Sequence, residues 1–359
     1  MPRLLPKGVL MVSWPLLLLA IASGAEKTHP PGHGTLRRYA DQLGFRIGAA
    51  FPPRLWGRDT EGEEVLAEEF NSTVVQATMG ATQPQPGRFN FSAMDAGIEF
   101  ARAHDMKLYG AALIYRADSL PPWMDNMRAS GRELDEIMRN HIQTVIRHGG
   151  DAFYAVGVVN EPLTNPNEPW QRAFGRDEYI AKAFRYARQA NPDVRLVLNQ
   201  AFGLDGVDRG MTDEFFDLVA RLKSQGVPID AAGIEMHLEA QQLRPGYLDE
   251  FRYFLSRAKQ AGVEVYITEM DVYQGPPGST PDLWGRQKQI YHDVAAACLD
   301  DKVCKGLTVW GVSDKDTWLS RRKCNPREDA KPLLFDDDYG RKLAYDGVLE
   351  ALKARAERN

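Results

Sequence analysis

The chain has 359 residues, 43% hydrophobic and 26% charged, with a formal net charge of −5. This is ordinary globular composition, long enough for one large domain or two small ones. Without a basic cluster it lacks the concentrated positive surface that a nucleic-acid partner requires.

Residues 1–25 stand apart from the rest. Arg3 and Lys7 precede the apolar run VLMVSWPLLLLAIA, and the small residues ASGA follow. That is the layout of a signal peptide, too short and too poorly flanked for a membrane anchor. The expectation is a secreted protein, extracellular or periplasmic. No second long apolar run follows, so residues 26–359 are expected to form a soluble domain that stays off the membrane, acting as a monomer.

From residue 45 onward, short apolar segments recur. They are FRIGAAF (45–51), STVVQAT (72–78), KLYGAALIY (107–115), FYAVGVV (153–159), RLVLNQ (195–200), AAGIEMH (231–237), EVYITEM (264–270) and GLTVWGV (306–312). Each is nearly continuously apolar, as parallel strands buried on both faces must be. Between them lie segments of helical period. Leu134, Met138, Ile142 and Val145 share one face before Gly149-Gly150. Phe215, Val219 and Leu222 follow an opening Thr212 and end at Gly226. Leu248, Phe251, Leu255 and Ala258 precede Gly262. Glycine is the residue best suited to ending a helix.

Regular alternation of strand and helix implies right-handed crossovers on a parallel sheet. Eight such units predict an α/β fold, a single (β/α)8 TIM barrel. A doubly wound open sheet is the alternative, but no glycine-rich phosphate loop follows the first run.

In a barrel of this kind, reactive groups project from the C-terminal ends of the strands. The fourth run ends in Asn160-Glu161, the sixth in Glu235-Met236-His237, and the seventh in Glu269 followed by Asp271. The eighth ends in Trp310, with Trp318 beyond it. A single Glu at such a place commonly caps a helix or binds a loop arginine. His237, Trp310 and Trp318 taken singly could be structural. Two glutamates facing each other across one mouth, beside aromatic faces, form the minimal kit for glycoside hydrolysis. One protonates the leaving oxygen and the other attacks the anomeric carbon or activates water. A metal centre is not expected: the first run ends in Phe51-Pro52-Pro53 rather than a histidine pair, and the chain holds seven His in all. No cofactor is expected either.

Three cysteines are present, Cys298, Cys304 and Cys324. In an oxidising compartment the first two could close the loop CLDDKVC, though spacing alone leaves the connectivity open.

These residues resemble the family 10 glycoside hydrolases, chiefly endo-β-1,4-xylanases. The resemblance runs through TLRRYADQLGFRIGAA, QPQPGRFNFSAMDAGIEFARAHDMKLYGAAL, VVNEP, ITEMDV, GLTVWGVSDKDTWL and PLLFDDDYGRKLAY. It implies that Glu161 is the general acid/base and Glu269 the nucleophile. It further implies that Asn160 holds a sugar 2-hydroxyl, that His237 contacts the nucleophile, and that Asp271 orients the imidazole. Tyr115, Glu235, Trp310 and Trp318 fall among its substrate-binding positions, and Cys298 pairs with Cys304. The implied reaction is double displacement with retention, the two carboxyl groups lying about 5–5.5 Å apart. The polymer would be xylan or a related β-linked glycan.

The departures are specific. Where the family usually reads E-N-x-M-K-W after the second strand, this chain has Gln76, Ala77 and Gly80. Where it reads G-H-x-L-x-W-H after the third, it has Ala111, Tyr115 and Arg116. Glu235 replaces a usual Gln, and NQA a usual N-D-Y. The reaction machinery is kept while the pocket for the non-reducing-side sugars is altered, so a different or decorated glycan is a reading of equal chemistry. Glu235 adds a third carboxylate, and like charges sharing a site raise a pKa. A carbohydrate-binding barrel without catalysis is disfavoured by the intact glutamate pair. A β-mannanase or endoglucanase is disfavoured by the motifs around the eighth strand.

Overall fold

A computed structural model describes residues 34–358, apart from 117, 118, 125, 126, 128, 165–168, 277–281 and 323–326. The expected signal peptide and Cys324 lie outside the described residues. From Thr35 onward the chain forms one compact unit.

Eight strands close into a barrel in sequence order. They are β1 (Arg46–Ala50), β2 (Ser72–Gln76), β3 (Lys107–Ala111), β4 (Phe153–Asn160), β5 (Arg195–Ala201), β6 (Ala231–Glu239), β7 (Glu264–Tyr273) and β8 (Cys304–Val309). Every neighbouring pair is parallel, including β8 with β1. Closure removes the exposed sheet edge that an open parallel sheet would carry.

Helices return the chain after each strand, and their ends follow from local chemistry. Gly131–Gly149 begins in a capping box between Ser130 and Glu133, which satisfies two of its free N–H groups. The helix read as opening at Thr212 begins earlier, at Arg209, because Asp208 caps Met211 N. Tyr247–Ala261 ends at Gly262 in the left-handed conformation. Apolar faces of these helices pack on the sheet. Behind β6, the buried Phe254 ring lies 4.9 Å from Phe216 and 6.1 Å from Phe215; burying each such ring stabilises by about 1.5–3 kcal/mol.

The inside of the barrel is a second, smaller core of Val74, Tyr109, Ala155, Val197, Ala231 and Tyr266, so the site rests on a filled floor. A buried ion pair braces the loop after β8. Lys342 Nζ donates to Asp314 Oδ2 at 2.8 Å and to the carbonyls of Lys331 and Leu333, while Asp314 Oδ1 accepts from Leu333 N. Cys298 and Cys304 are joined in a disulfide that ties the last barrel helix to the start of β8.

Candidate active site

Two irregularities in the sheet decide which side chains reach the mouth. Along β5, Val197 faces the barrel interior while Leu196 and Leu198 face the helices, the simple alternation of a strand. In β4 the pairing with β5 runs Gly157 to Val197 and then Val159 to Leu198, so Val158 is an extra residue. In β7 the pairing with β6 runs Ile267 to Ile234 and then Glu269 to Glu235, so Thr268 is extra. An inserted residue reverses the parity of all that follow it. Ala155 and Tyr266 point inward below the bulges; Asn160 and Glu269 point inward above them.

Glu269, His237 and Asp271 form a chain of contacts across β6 and β7. His237 Nε2 lies 3.2 Å from Glu269 Oε2 and 3.8 Å from Glu235 Oε2, and His237 Nδ1 lies 3.0 Å from Asp271 Oδ2. The Asp271 approach is close but not aligned as a hydrogen bond, so the contact is electrostatic. Trp318 Nε1 donates to Asp271 Oδ2 at 2.6 Å, and its ring centroid stands 4.9 Å from the imidazole. Trp310 meets His237 edge-on at 6.4 Å. Burial acts against a charged imidazole, yet Asp271 and Glu269 outweigh it and hold His237 well above the usual histidine range. Burial raises Glu269, a rise that His237 opposes and the charges of Glu161 and Asp271 reinforce.

Glu235 carries the strongest penalty. Burial first, then the charges of Glu269 and Glu161, push its carboxyl well above the ordinary range. The like-charge effect expected from the sequence therefore falls on this third carboxylate. Asn199 fixes it in place. Its Nδ2 donates to Glu235 Oε1 at 2.9 Å and to Asn160 Oδ1 at 2.6 Å, and its Oδ1 accepts from Thr268 Oγ1 at 2.7 Å.

Glu161 follows β4 with a φ of 50°, an uncommon conformation for a residue with a side chain and one found at functional sites. Its N–H donates to Asn199 O at 2.9 Å. Tyr115 Oη donates to Glu161 Oε1 at 2.5 Å, and Thr164 Oγ1 stands 3.4 Å from Oε2. Gln200 braces this turn, accepting from Leu163 N and donating to Thr164 Oγ1, both at 3.1 Å. Burial of Tyr115 and the charge of Glu161 raise the phenol's pKa, so it remains a donor.

All the site residues expected from the sequence except Asp271 line one cavity of about 560 Å³. Asp271 lies behind His237 as expected. Thr268 was not singled out in the sequence, and Asn199 and Gln200 entered only as part of the altered NQA segment, without a role; the signal was the pair of amides ending the fifth run. Tyr115 and Trp318, read as sugar contacts, are hydrogen-bonded to Glu161 and Asp271. At the end of β2, Gln76 is exposed and Ala77 buried. A Cβ on Gly80 would lie 2.6 Å from the carbonyl oxygen of Ser119, so the segment after β3 occupies the space a side chain there would need. Glu235, His237 and Glu269 also place one ligand atom each within 4.8 Å of the others, close enough for a divalent cation. Among the described residues no helix is long and apolar enough to cross a membrane.

A family model described as glycosyl hydrolase family 10 matches residues 35–351. Endo-1,4-beta-xylanase B of Thermotoga neapolitana is 29% identical over 350 residues, 95% of this chain and 96% of its own. Endo-1,4-beta-xylanase 3 of Hypocrea jecorina is 31% identical over 327 residues, 87% of this chain and 85% of its own. The crystal structure of xylanase 10B from Thermotoga petrophila RKU-1 in complex with xylobiose superposes with a TM-score of 0.83 at 30% identity, over 90% of this chain and 99% of that one. The closed parallel barrel, the carboxylates at its mouth and these matches lead to one conclusion: the chain belongs to glycosyl hydrolase family 10.

Proposed function

We propose that this protein is a secreted endo-1,4-β-xylanase that hydrolyses xylan by double displacement. The observation that carries the reading is the Glu161 and Glu269 pair at one barrel mouth, each with its own hydrogen-bonding partner. Glu269 attacks the anomeric carbon as Glu161 gives its proton to the departing glycosidic oxygen, forming a covalent glycosyl-enzyme. Glu161, now ionised, takes a proton from water, whose oxygen attacks the same carbon and releases Glu269. Two inversions give net retention.

Each neighbour has a task in this scheme. Protonated His237 stabilises the ionised nucleophile that attack requires. Asp271 and Trp318 keep the imidazole charged and oriented. Asn160 and Glu235 meet the hydroxyls of the reacting ring, where hydrogen bonds strengthen as the oxocarbenium-like state develops. Trp310 and Trp318 offer faces to sugar rings.

Secretion rests on the N-terminal pattern of residues 1–25 and on the Cys298–Cys304 disulfide, which persists in oxidising compartments. A monomer suffices, since this one chain supplies the whole constellation. The test is a panel of polysaccharides digested by wild type and by Glu269→Ala, with products separated by chain length. Internal cleavage of xylan by wild type alone supports the reading. Cleavage of another β-glycan in preference to xylan, or equal activity of both proteins, refutes it.

A further inference from the structure

Trp318 donates to Asp271 from the loop after β8, not from a strand, so contacts outside the barrel have to hold its indole in place. Within the loop, Thr317 Oγ1 accepts from Leu319 N at 3.3 Å and shapes the short turn Trp318–Arg321. Towards β1, Arg54 pairs with Asp316. Neither contact reaches the ends of β6 and β7, where Asp271 and His237 stand.

Arg327 does. Its N–H donates to Leu319 O at 2.9 Å, and its Nη2 donates at 2.7 Å to Oε2 of Glu239, the last residue of β6. Its guanidinium lies 4.2 Å from the ring centre of Tyr273, the last residue of β7. The ion pair is largely withdrawn from solvent, with side-chain exposure of 15% for Arg327 and 9% for Glu239. Tyr273, Leu319 and Ala330 form a small core against which Trp318 packs. Glu239 also reaches the opposite wall: its N–H donates to Leu204 O at 2.8 Å, and Leu204 and Trp318 both line the catalytic cavity. Desolvation offsets much of the attraction in a buried ion pair, so such a pair adds little stability. A guanidinium stacked on a ring and directed at a carboxylate is held in one plane, and so fixes geometry.

We propose that Arg327 is a positioning residue: anchored on Glu239 and Tyr273, it holds the Trp318 turn so that the indole reaches Asp271. Through Asp271 it keeps the His237 imidazole aimed at Glu269. The proposal rests on the xylanase reading above for what Glu269 does, and adds a residue that acts on the reaction without touching the sugar.

The test reads the indole directly. Its hydrogen bond to a carboxylate shifts the Trp318 Nε1 proton resonance downfield, and Trp318→Phe identifies that signal by its loss. Arg327→Gln is expected to move the signal upfield and to lower kcat/KM on xylohexaose about tenfold. Because Gln leaves the Glu239 carboxylate buried without its partner, Arg327→Lys is measured beside it. Lys keeps the charge while losing the fork and the stacking, so the fold is kept and the signal is expected to move part of the way. Combining Trp318→Phe with Arg327→Gln should cost no more than Trp318→Phe alone, since both act through one contact. A signal that stays in place in both Arg327 variants, or losses that multiply in the double variant, overturns the proposal. If wild type leaves xylan intact the xylanase reading falls, while the indole signal still decides whether Arg327 positions Trp318.

Discussion

On the β6 and β7 side of the mouth, each polar group answers another. Glu269 meets His237, His237 meets Asp271, and Asp271 accepts from Trp318. On the β2 and β3 side, Gln76 and Arg116 end their segments exposed, Ala77 and Ala111 bring no hydrogen-bonding side chain, and Gly80 is pressed under the Ser119 carbonyl. The first region is buried and held by mutual contacts, where altering one member strands the rest. The second is a rim, where changes alter what is recognised without disturbing the chemistry. The contrast explains how reaction residues can follow the family while sugar-contact positions depart from it.

The largest effect expected is on the packed side. Glu269→Ala removes the proposed nucleophile and is expected to lower kcat by about 10⁵-fold, measured on an activated aryl xyloside and on xylan alike. A loss below about 100-fold would show that catalysis does not run through this residue.

His237→Gln tests the electrostatic support. Burial raises the Glu269 carboxyl and His237 opposes that rise. Without the imidazolium, the carboxyl climbs further, and attack requires it ionised. The acid limb of the kcat/KM profile should therefore move to higher pH, by about one unit. A limb that stays in place would mean that the contact does not tune the nucleophile.

On the opposite side of the mouth, Tyr115→Phe deletes the donor to Glu161 and is expected to reduce kcat about tenfold with little change in fold. Gly80→Ala sharpens the comparison at the rim. The added methyl meets the Ser119 carbonyl at 2.6 Å, so melting should reveal a loss of about 1–3 kcal/mol. An unchanged Tm would mean that the segment after β3 moves aside freely.

The smallest effect is the pH dependence of Glu235. Its folded pKa is raised, so the folded state keeps a proton that the unfolded chain releases. Wild type then loses stability as pH climbs from the ordinary carboxylate range through the raised value. Glu235→Gln lacks this loss, so its Tm advantage should widen with rising pH and level off beyond that window. A constant difference across pH would contradict the assignment.

The barrel was legible because apolar runs of strand length alternate with helical faces ending in glycine. Glu161 and Glu269 were legible because a carboxylate is conspicuous at the end of such a run. The same continuity hid the faces: in a run such as EVYITEM no polar alternation marks inside from outside. Neither the bulge at Thr268 nor the one at Val158 could be read, although both are needed to aim Glu269 and Asn160 inward. The third run was read to Tyr115, but β3 ends at Ala111; Leu113 and Ile114 leave the regular ladder while still donating to Gly157 and Val158 carbonyls. Asn199 was noted only within the altered NQA segment and its role was missed, because joining Asn160 to Glu235 links three strands distant in sequence.

The central claim is retention through Glu269, and proton NMR of the first products from xylohexaose tests it most directly. Fresh reducing ends should appear as the β-anomer, with the α-anomer growing in later by mutarotation. An α-anomer present from the first spectrum would mean inversion by a single displacement, and the assignment of Glu269 as nucleophile would fall.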